Sequence, residues 1–348
     1  MQPIQLLDLT KDELRALLAG WGEPRYRADQ IWGWLYHRFA TSPHEMTDLP
    51  TALRDRLEAD TCLNPLEPLA TLDSKDRQTR KTLFALADGP QVEAVLMRYA
   101  RRRTLCISTQ AGCAIGCPFC ATGQAGFDRN LSAGEIVAQV LFYARLLAVE
   151  GERVTNIVFM GMGEPLANYE ATWAAIRRLN DATGFGLAAR AMTLSTVGLA
   201  PGIRRMSQEP EQVGLAVSLH APTDELRDRL VPINRRYPLA RLMEVCREYI
   251  AATRRRVSFE YALMEGINDG DEQARQLADL LKGMLAHVNL IPLNPTSDSP
   301  YRGSSRTRVR AFQSVLEDRG LPVTVRMRRG IDIQAGCGQL RARYERGD

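Results

Sequence analysis

"GCAIGCPFC" spans residues 112–120 and holds three of the seven cysteines of this 348-residue chain, at CxxxCxxC spacing. A structural zinc ion takes four protein ligands in a tetrahedron. Here the nearest other thiol is Cys106, upstream in "TLCIST", and the loop carries no histidine. Three thiolates on one short loop suit a four-iron cluster whose fourth iron stays open to a substrate or cofactor. We therefore read Cys113, Cys117 and Cys120 as ligands of a [4Fe-4S] cluster rather than of zinc.

Outward from this loop the chain alternates strand and helix. The strands are "TLCIST", "TNIVFMG", "AMTLSTVG", "VGLAVSLHA", "RVSFEYALM" and "HVNLIPLN", with helical stretches at 132–149, 169–180, 239–252 and 271–285. Six βα units in one run predict an α/β fold with a parallel sheet, doubly wound or curled into a partial barrel. A last strand, "PVTVRM", leads into a glycine-rich tail in which Cys337 sits between Gly336 and Gly338. Upstream, the first sixty residues read as helices. "TKDE" is a capping box with Thr10 as cap and Glu13 reaching back, and further helices follow Pro24 and Pro50. Between the two regions, "KTLFALADGPQVEAVLM" places Asp88-Gly89 between apolar runs, a hairpin signal. The expected organisation is a small N-terminal helical domain at 1–62, a β-hairpin linker at 63–103, the barrel at 104–327 and a tail at 328–348.

Hydrophobic content of 45% and charged content of 25% are ordinary for a globular protein. The amino terminus has no signal-peptide pattern. The longest apolar helix, "EIVAQVLFYARLLAV", is broken by Gln139 and Arg145 and is too short for a bilayer. A cytoplasmic protein without a membrane partner is expected, where cysteines serve metals or catalysis more often than disulfides. The net charge of +4 is unevenly spread. From Thr296 to Asp348 eleven arginines face six acids, so this segment is +5 and the remainder about −1. Clustered arginine suits phosphate contacts and base stacking, and points to RNA. Candidates are Arg101 to Arg103, Arg254 to Arg256, the run from Arg302 to Arg310, and Arg326, Arg328 and Arg329. Phosphate contacts need no fixed spacing, so sequence does not choose among them. The helix bearing Trp32, Trp34 and Tyr36 could stack bases, although such a helix is more often core.

CxxxCxxC after the first strand of a partial (βα)6 barrel resembles the radical S-adenosylmethionine (SAM) superfamily. The likeness is narrower than that. "LLDLTKDELRALL", "YRADQIWGWLYH", "FCATGQAGFDRNL", "GMGEPLANY", "LSTVG", "SLHAPTDELRDRLVPINRRYPL", "VNLIPLNP" and "DIQAGCGQL" all resemble the RlmN family, over nearly the whole chain from Leu6 to Leu340. The resemblance implies methylation of carbon 2 of adenine 2503 in 23S rRNA and of an adenine beside the anticodon in tRNA. It implies SAM bound to the open iron and an electron donor such as flavodoxin or ferredoxin. RNA rather than DNA is the expected partner. With no exposed heptad pattern, a monomer is expected.

Carbon 2 of adenine has no lone pair and no acidic proton, so it cannot attack a SAM methyl group directly. One route loads a methyl onto a protein thiol from one SAM, and a 5′-deoxyadenosyl radical from a second SAM abstracts a hydrogen from it. The methylene radical adds to the ring, and a second thiol releases the product by forming a disulfide. By resemblance, Cys337 is the S-methyl carrier, Cys106 its resolving partner and Glu93 the proton acceptor. From the residues alone, a buried thiol at Cys106 and a solvated glutamate at 93 are the commoner readings. Cys246 reads as packing, and Cys62 has no assigned role. The SAM contacts implied by resemblance are Gly163, Glu164, Ser195, Ser218, Leu219, His220 and Asn294. All fall at the carboxyl ends of strands, where parallel barrels place their working residues. Glu164 would pair with the SAM ammonium. Three alternatives stay open: a Cfr-type enzyme acting on carbon 8, a glycyl-radical activating enzyme, and a non-catalytic iron–sulfur or zinc RNA-binding module.

Overall fold

A computed structural model of the chain describes residues 3–293, 300–326 and 333. Asn294, Arg328, Arg329 and Cys337 lie outside the described residues. The N-terminal region forms α1 (Lys11–Gly20), α2 (Tyr26–Tyr36) and α3 (Thr51–Asp60). The capping box is present: Glu13 N donates to Thr10 Oγ1 at 3.2 Å, and Thr10 N donates to Glu13 Oε2 at 2.7 Å. Trp32 and Tyr36 pack against each other inside this region, with ring centroids 4.5 Å apart. Their burial assigns them to the core rather than to a base-stacking face.

Ten strands then form one sheet in sequence order. They are β1 (Leu66–Asp73), β2 (Thr79–Leu86), β3 (Gln91–Arg98), β4 (Arg103–Cys106) and β5 (Asn156–Phe159). The series continues with β6 (Met192–Thr196), β7 (Gly214–Ser218), β8 (Val257–Leu263), β9 (Ala286–Pro292) and β10 (Val323–Val325). From β4 to β10 the pairing is parallel, which makes the partial barrel. From β1 to β4 it is antiparallel. The hairpin β2–β3 turns at Gly89, whose φ is +104°. Strand β1 has no counterpart in the sequence reading, because Pro68 and a polar-rich pattern mask it. A register shift between Pro68 and Ala70 accommodates the proline. Since β3 pairs with β4, the stretch 63–103 is continuous with the barrel sheet, and the strand of Glu93 lies beside the strand of Cys106.

Helices α4 (Ala133–Val149), α5 (Tyr169–Asn180), α6 (Ala200–Met206), α7 (Asp224–Leu230), α8 (Leu239–Thr253), α9 (Asp271–Leu280) and α10 (Arg306–Asp318) connect the parallel strands. Gln139, the polar break in the apolar helix α4, is buried. Its amide accepts from Ser108 N at 2.8 Å and donates to Ser108 O at 2.9 Å. The helical region docks through Asp8, whose Oδ1 accepts from Gly134 N at 2.7 Å and whose carbonyl accepts from Arg178. No helix among the described residues is long and apolar enough to cross a membrane.

Candidate active site

The cysteine loop leaves the sheet after β4 and is braced by a short antiparallel ladder, Gln110–Gly112 with Phe127–Asn130. Gly112, with φ +79°, brings its backbone against Gly126, so that Cys113 N donates to Gly126 O at 2.7 Å. A Cβ at Gly112 would sit 2.2 Å from that oxygen. Beneath the loop, Cys117 packs with Ala221, Leu230, Val231, Ala262, Met264 and Leu293 in an apolar cluster apart from the main core.

Cys113, Cys117 and Cys120 line one cavity together with Gly163, Glu164, Ser195, Ser218 and His220. Burial, with a contribution from Cys120, pushes the Cys113 thiol up to about 11. Cys117 is raised further, first by burial and then by the charges of Cys120 and Cys113. Three close thiolates in an apolar pocket are unfavourable alone, and a cationic iron core removes that penalty. Among the described residues no three His, Cys, Asp or Glu side chains form a site for a metal ion. Three thiols that share one cavity fit three corners of a cluster whose fourth iron is left open.

Facing the thiols are the strand ends. Gly163 has φ +100°, and a Cβ there would lie 2.5 Å from Gln110 Cβ, so Gln110 alone requires glycine. The Glu164 carboxylate is buried and accepts from Leu166 N at 3.0 Å and Val197 N at 2.8 Å. Burial raises it to about 7 despite those bonds. Glu164 thus ties the end of β5 to the end of β6, beyond the salt-bridging role expected of it. Ser195 Oγ and Ser218 Oγ are 3.4 Å apart. His220 has φ +60°, and its Nδ1 accepts from Ala262 N at 3.0 Å. Burial and the Arg227 charge depress it to about 3, so the ring is neutral with its proton on Nε2. Leu219 is fully buried and lies behind this lining.

Two residues not singled out in the sequence organise these ends. Arg227 is fully buried and donates to Leu219 O at 3.1 Å, Val197 O at 2.6 Å, Ser218 O at 3.2 Å and Asn234 Oδ1 at 2.8 Å. Its guanidinium clamps the ends of β6 and β7. Glu260 on β8 also lines the cavity. Its Oε1 accepts from Asn289 at 2.8 Å, while Oε2 has no partner among the described residues.

Neither Cys106 nor Glu93 lines this cavity: Cys106 adjoins it, and Glu93 lies on the neighbouring strand. Cys106 stands opposite Val95 on β3 and Val158 on β5. The Met160 backbone and Arg326, both part of the cavity wall, act electrostatically on its thiol. The residue is only half-buried, and desolvation nevertheless pushes its thiol up to about 11. Glu93, expected as a solvated residue on residue type alone, is 2% exposed and ion-paired with Lys81 at 2.7 Å.

Residues 4–63 match the ribosomal RNA large subunit methyltransferase N-terminal domain, and residues 107–278 match the radical SAM superfamily. A probable dual-specificity RNA methyltransferase RlmN of Chloroflexus aurantiacus is 52% identical over 97% of this chain and 93% of its own length. The dual-specificity RNA methyltransferase RlmN 1 of Myxococcus xanthus is 52% identical over 98% of this chain and 95% of its own. The chain belongs to the RlmN family. A crystal structure of a radical SAM methyltransferase from Sphaerobacter thermophilus superposes with a TM-score of 0.95 at 52% identity, covering 97% of this chain and 99% of that one. RlmN-family membership makes the protein a methyltransferase with a [4Fe-4S] cluster and SAM as cofactors.

Proposed function

We propose that this RlmN-family enzyme methylates carbon 2 of adenine 2503 in 23S rRNA and of the adenine beside the tRNA anticodon. The observation that carries this reading is the shared cavity, where three cysteines face the SAM-side strand ends while Cys106 adjoins the wall. When bound, the cluster and SAM supply a methyl donor and a hydrogen-abstracting radical. Cys113, Cys117 and Cys120 hold the cluster, and Gly163, Glu164, Ser195, Ser218, His220 and Asn294 frame SAM, with Leu219 behind them. Cys337 carries the methyl group and becomes joined to the adenine through the methylene carbon. Glu93 takes the proton from carbon 2, and the unpaired electron that the adduct gives up would pass to the cluster when it is bound. Cys106 then forms a disulfide with Cys337 as the methyl group leaves with the RNA. The high thiol value at Cys106 suits a resolving partner that stays protonated until the adduct forms.

The test is anaerobic. Reconstituted protein receives reductant, methyl-labelled SAM and unmodified RNA fragments, and the nucleosides are resolved against 2-methyl and 8-methyladenosine. The expected product is 2-methyladenosine from both RNAs, lost in Cys337→Ala. An 8-methyl product overturns the assigned position, and retained transfer by Cys337→Ala overturns the thiol route.

A further inference from the structure

Lys81 and Glu93 form an ion pair with side chains 0% and 1% exposed, Nζ to Oε2 2.7 Å. Their place in the sheet is informative. Lys81 on β2 is opposite Val95 on β3, and Val95 is opposite Cys106 on β4. Opposed residues share a face, and so do residues two apart on one strand. Lys81, Glu93 and Cys106 therefore lie on one face of three adjacent strands, and Cys106 feels the charge of both partners. The backbone is tied to the SAM side as well. Ser108 Oγ donates to Glu93 O at 2.6 Å and accepts from Met162 N, in the turn before Gly163, at 2.9 Å.

Removing two charges from water is costly, and apolar replacement of a buried pair is often neutral or stabilising. Stability alone gives little reason to keep Lys81 here. A buried carboxyl without a cation takes up a proton and cannot accept another. A base at this position therefore needs a fixed positive neighbour.

We propose that Lys81 is the positioning residue for the base: its ammonium holds the Glu93 carboxylate ionised and fixed on the face shared with Cys106. This rests on the assignment of Glu93 as proton acceptor. In the step it serves, the C–H bond at carbon 2 breaks, the proton passes to Glu93, and the electron pair stays in the ring. The neutral carboxyl remains beside the ammonium, so the pair does not separate. Lys81 thereby keeps the base competent to resolve the covalent protein–RNA adduct.

The experiment follows adduct decay in single turnovers across pH, in the reconstituted full-length protein, for wild type, Glu93→Gln, Lys81→Met and Lys81→Arg. With no cation beside it the buried carboxyl takes up a proton, so Lys81→Met should slow decay about 10- to 100-fold at pH 7 and recover as pH rises. Lys81→Arg keeps the charge and should keep the wild-type acidic limb. An acidic limb left unmoved in Lys81→Met overturns the proposal. A normal decay rate in Glu93→Gln overturns the base assignment instead. Should Lys81→Met fail to fold, isotope-edited infrared spectra of wild type against Glu93→Gln decide the matter. The proposal expects the Glu93 band to be carboxylate at pH 7, and a protonated band sinks it.

Discussion

Two glycines of the cysteine loop separate steric from conformational constraint. Gly112 and Gly116 both have positive φ, +79° and +72°. A Cβ at Gly116 meets nothing within 4 Å, whereas one at Gly112 lies 2.2 Å from Gly126 O and 2.9 Å from Phe127 Cα. Gly116→Ala should therefore cost only the left-handed backbone penalty, about 1–2 kcal/mol. Gly112→Ala adds a backbone collision, which is relieved only if Gly126 O retreats from 2.2 Å towards the 3.4 Å of ordinary contact. That movement breaks the bond from Cys113 N to the same oxygen, now 2.7 Å. A lost bond of this kind adds about 1–3 kcal/mol. The total is about 2–5 kcal/mol against about 1–2, all of it spent in the loop that presents the thiols. At 1.4 kcal/mol per tenfold, Gly112→Ala should weaken cluster retention by about one and a half to three and a half orders of magnitude and Gly116→Ala by about tenfold. Retention is measured as the chelator concentration that strips half the iron from reconstituted protein, with circular dichroism as the check on the fold. Equal retention by the two variants would refute the steric reasoning.

Three further outcomes are expected. Arg227→Met strands buried carbonyls at Val197, Ser218 and Leu219, and should destabilise the protein by about 3–5 kcal/mol and weaken SAM binding. Unfolding midpoints and equilibrium dialysis of SAM check this, and wild-type SAM affinity would count against the clamp. For Cys106, burial raises the thiol to about 11, and only the thiolate alkylates. Raising pH towards that value increases the thiolate fraction, so iodoacetamide labelling of Cys106 should rise about tenfold per pH unit from pH 8 to 10. Peptide mass spectrometry reads it out, and a plateau below pH 9 would contradict the raised thiol value. Gly134→Ala places a Cβ 2.9 Å from Asp8 N and 2.9 Å from Leu7 C, at the docking point of the helical region. Trypsin should then release the N-terminal helices faster at unchanged secondary structure, and unchanged cleavage kinetics would remove Gly134 from the docking account.

What was legible in the sequence follows a physical pattern. The cysteine loop could be read because metal ligation fixes residue type and spacing locally. The strand-end residues came from the family resemblance, and they share one edge because a parallel barrel sends its strand ends there, whatever the side chains. Gly163 came from the family resemblance, but the neighbour that forces glycine there is Gln110, a contact only the fold supplies. Strand β1 was hidden by Pro68, since proline inside a run argues against a strand unless a register shift absorbs it.

The buried charges were illegible for a deeper reason. In "TRKTLFAL" alternation puts Lys81 with Leu83 on one face and Arg80 with Thr82 on the other, and a lysine on a hairpin is ordinarily solvated. That rule assumes a strand with one wet face. Here the other face is closed by α4, where the Tyr143 hydroxyl bonds Thr82 Oγ1 at 2.9 Å, so β2 is covered on both sides. Arg227 poses the same problem in "DELRDRL", where nothing in helical spacing distinguishes it from Arg229. Its partners are a strand end thirty residues upstream and an asparagine in the next turn. A buried cation is tolerated only where distant backbone or a distant carboxylate meets it, so its position is a property of the assembled sheet. Charges that a local reading assigns to the surface, and that the fold then buries against partners, are the residues where function should be sought first. Among the buried charges of this chain, Lys81 and Glu93 tie β2 to β3, and Arg227 ties the ends of β6 and β7.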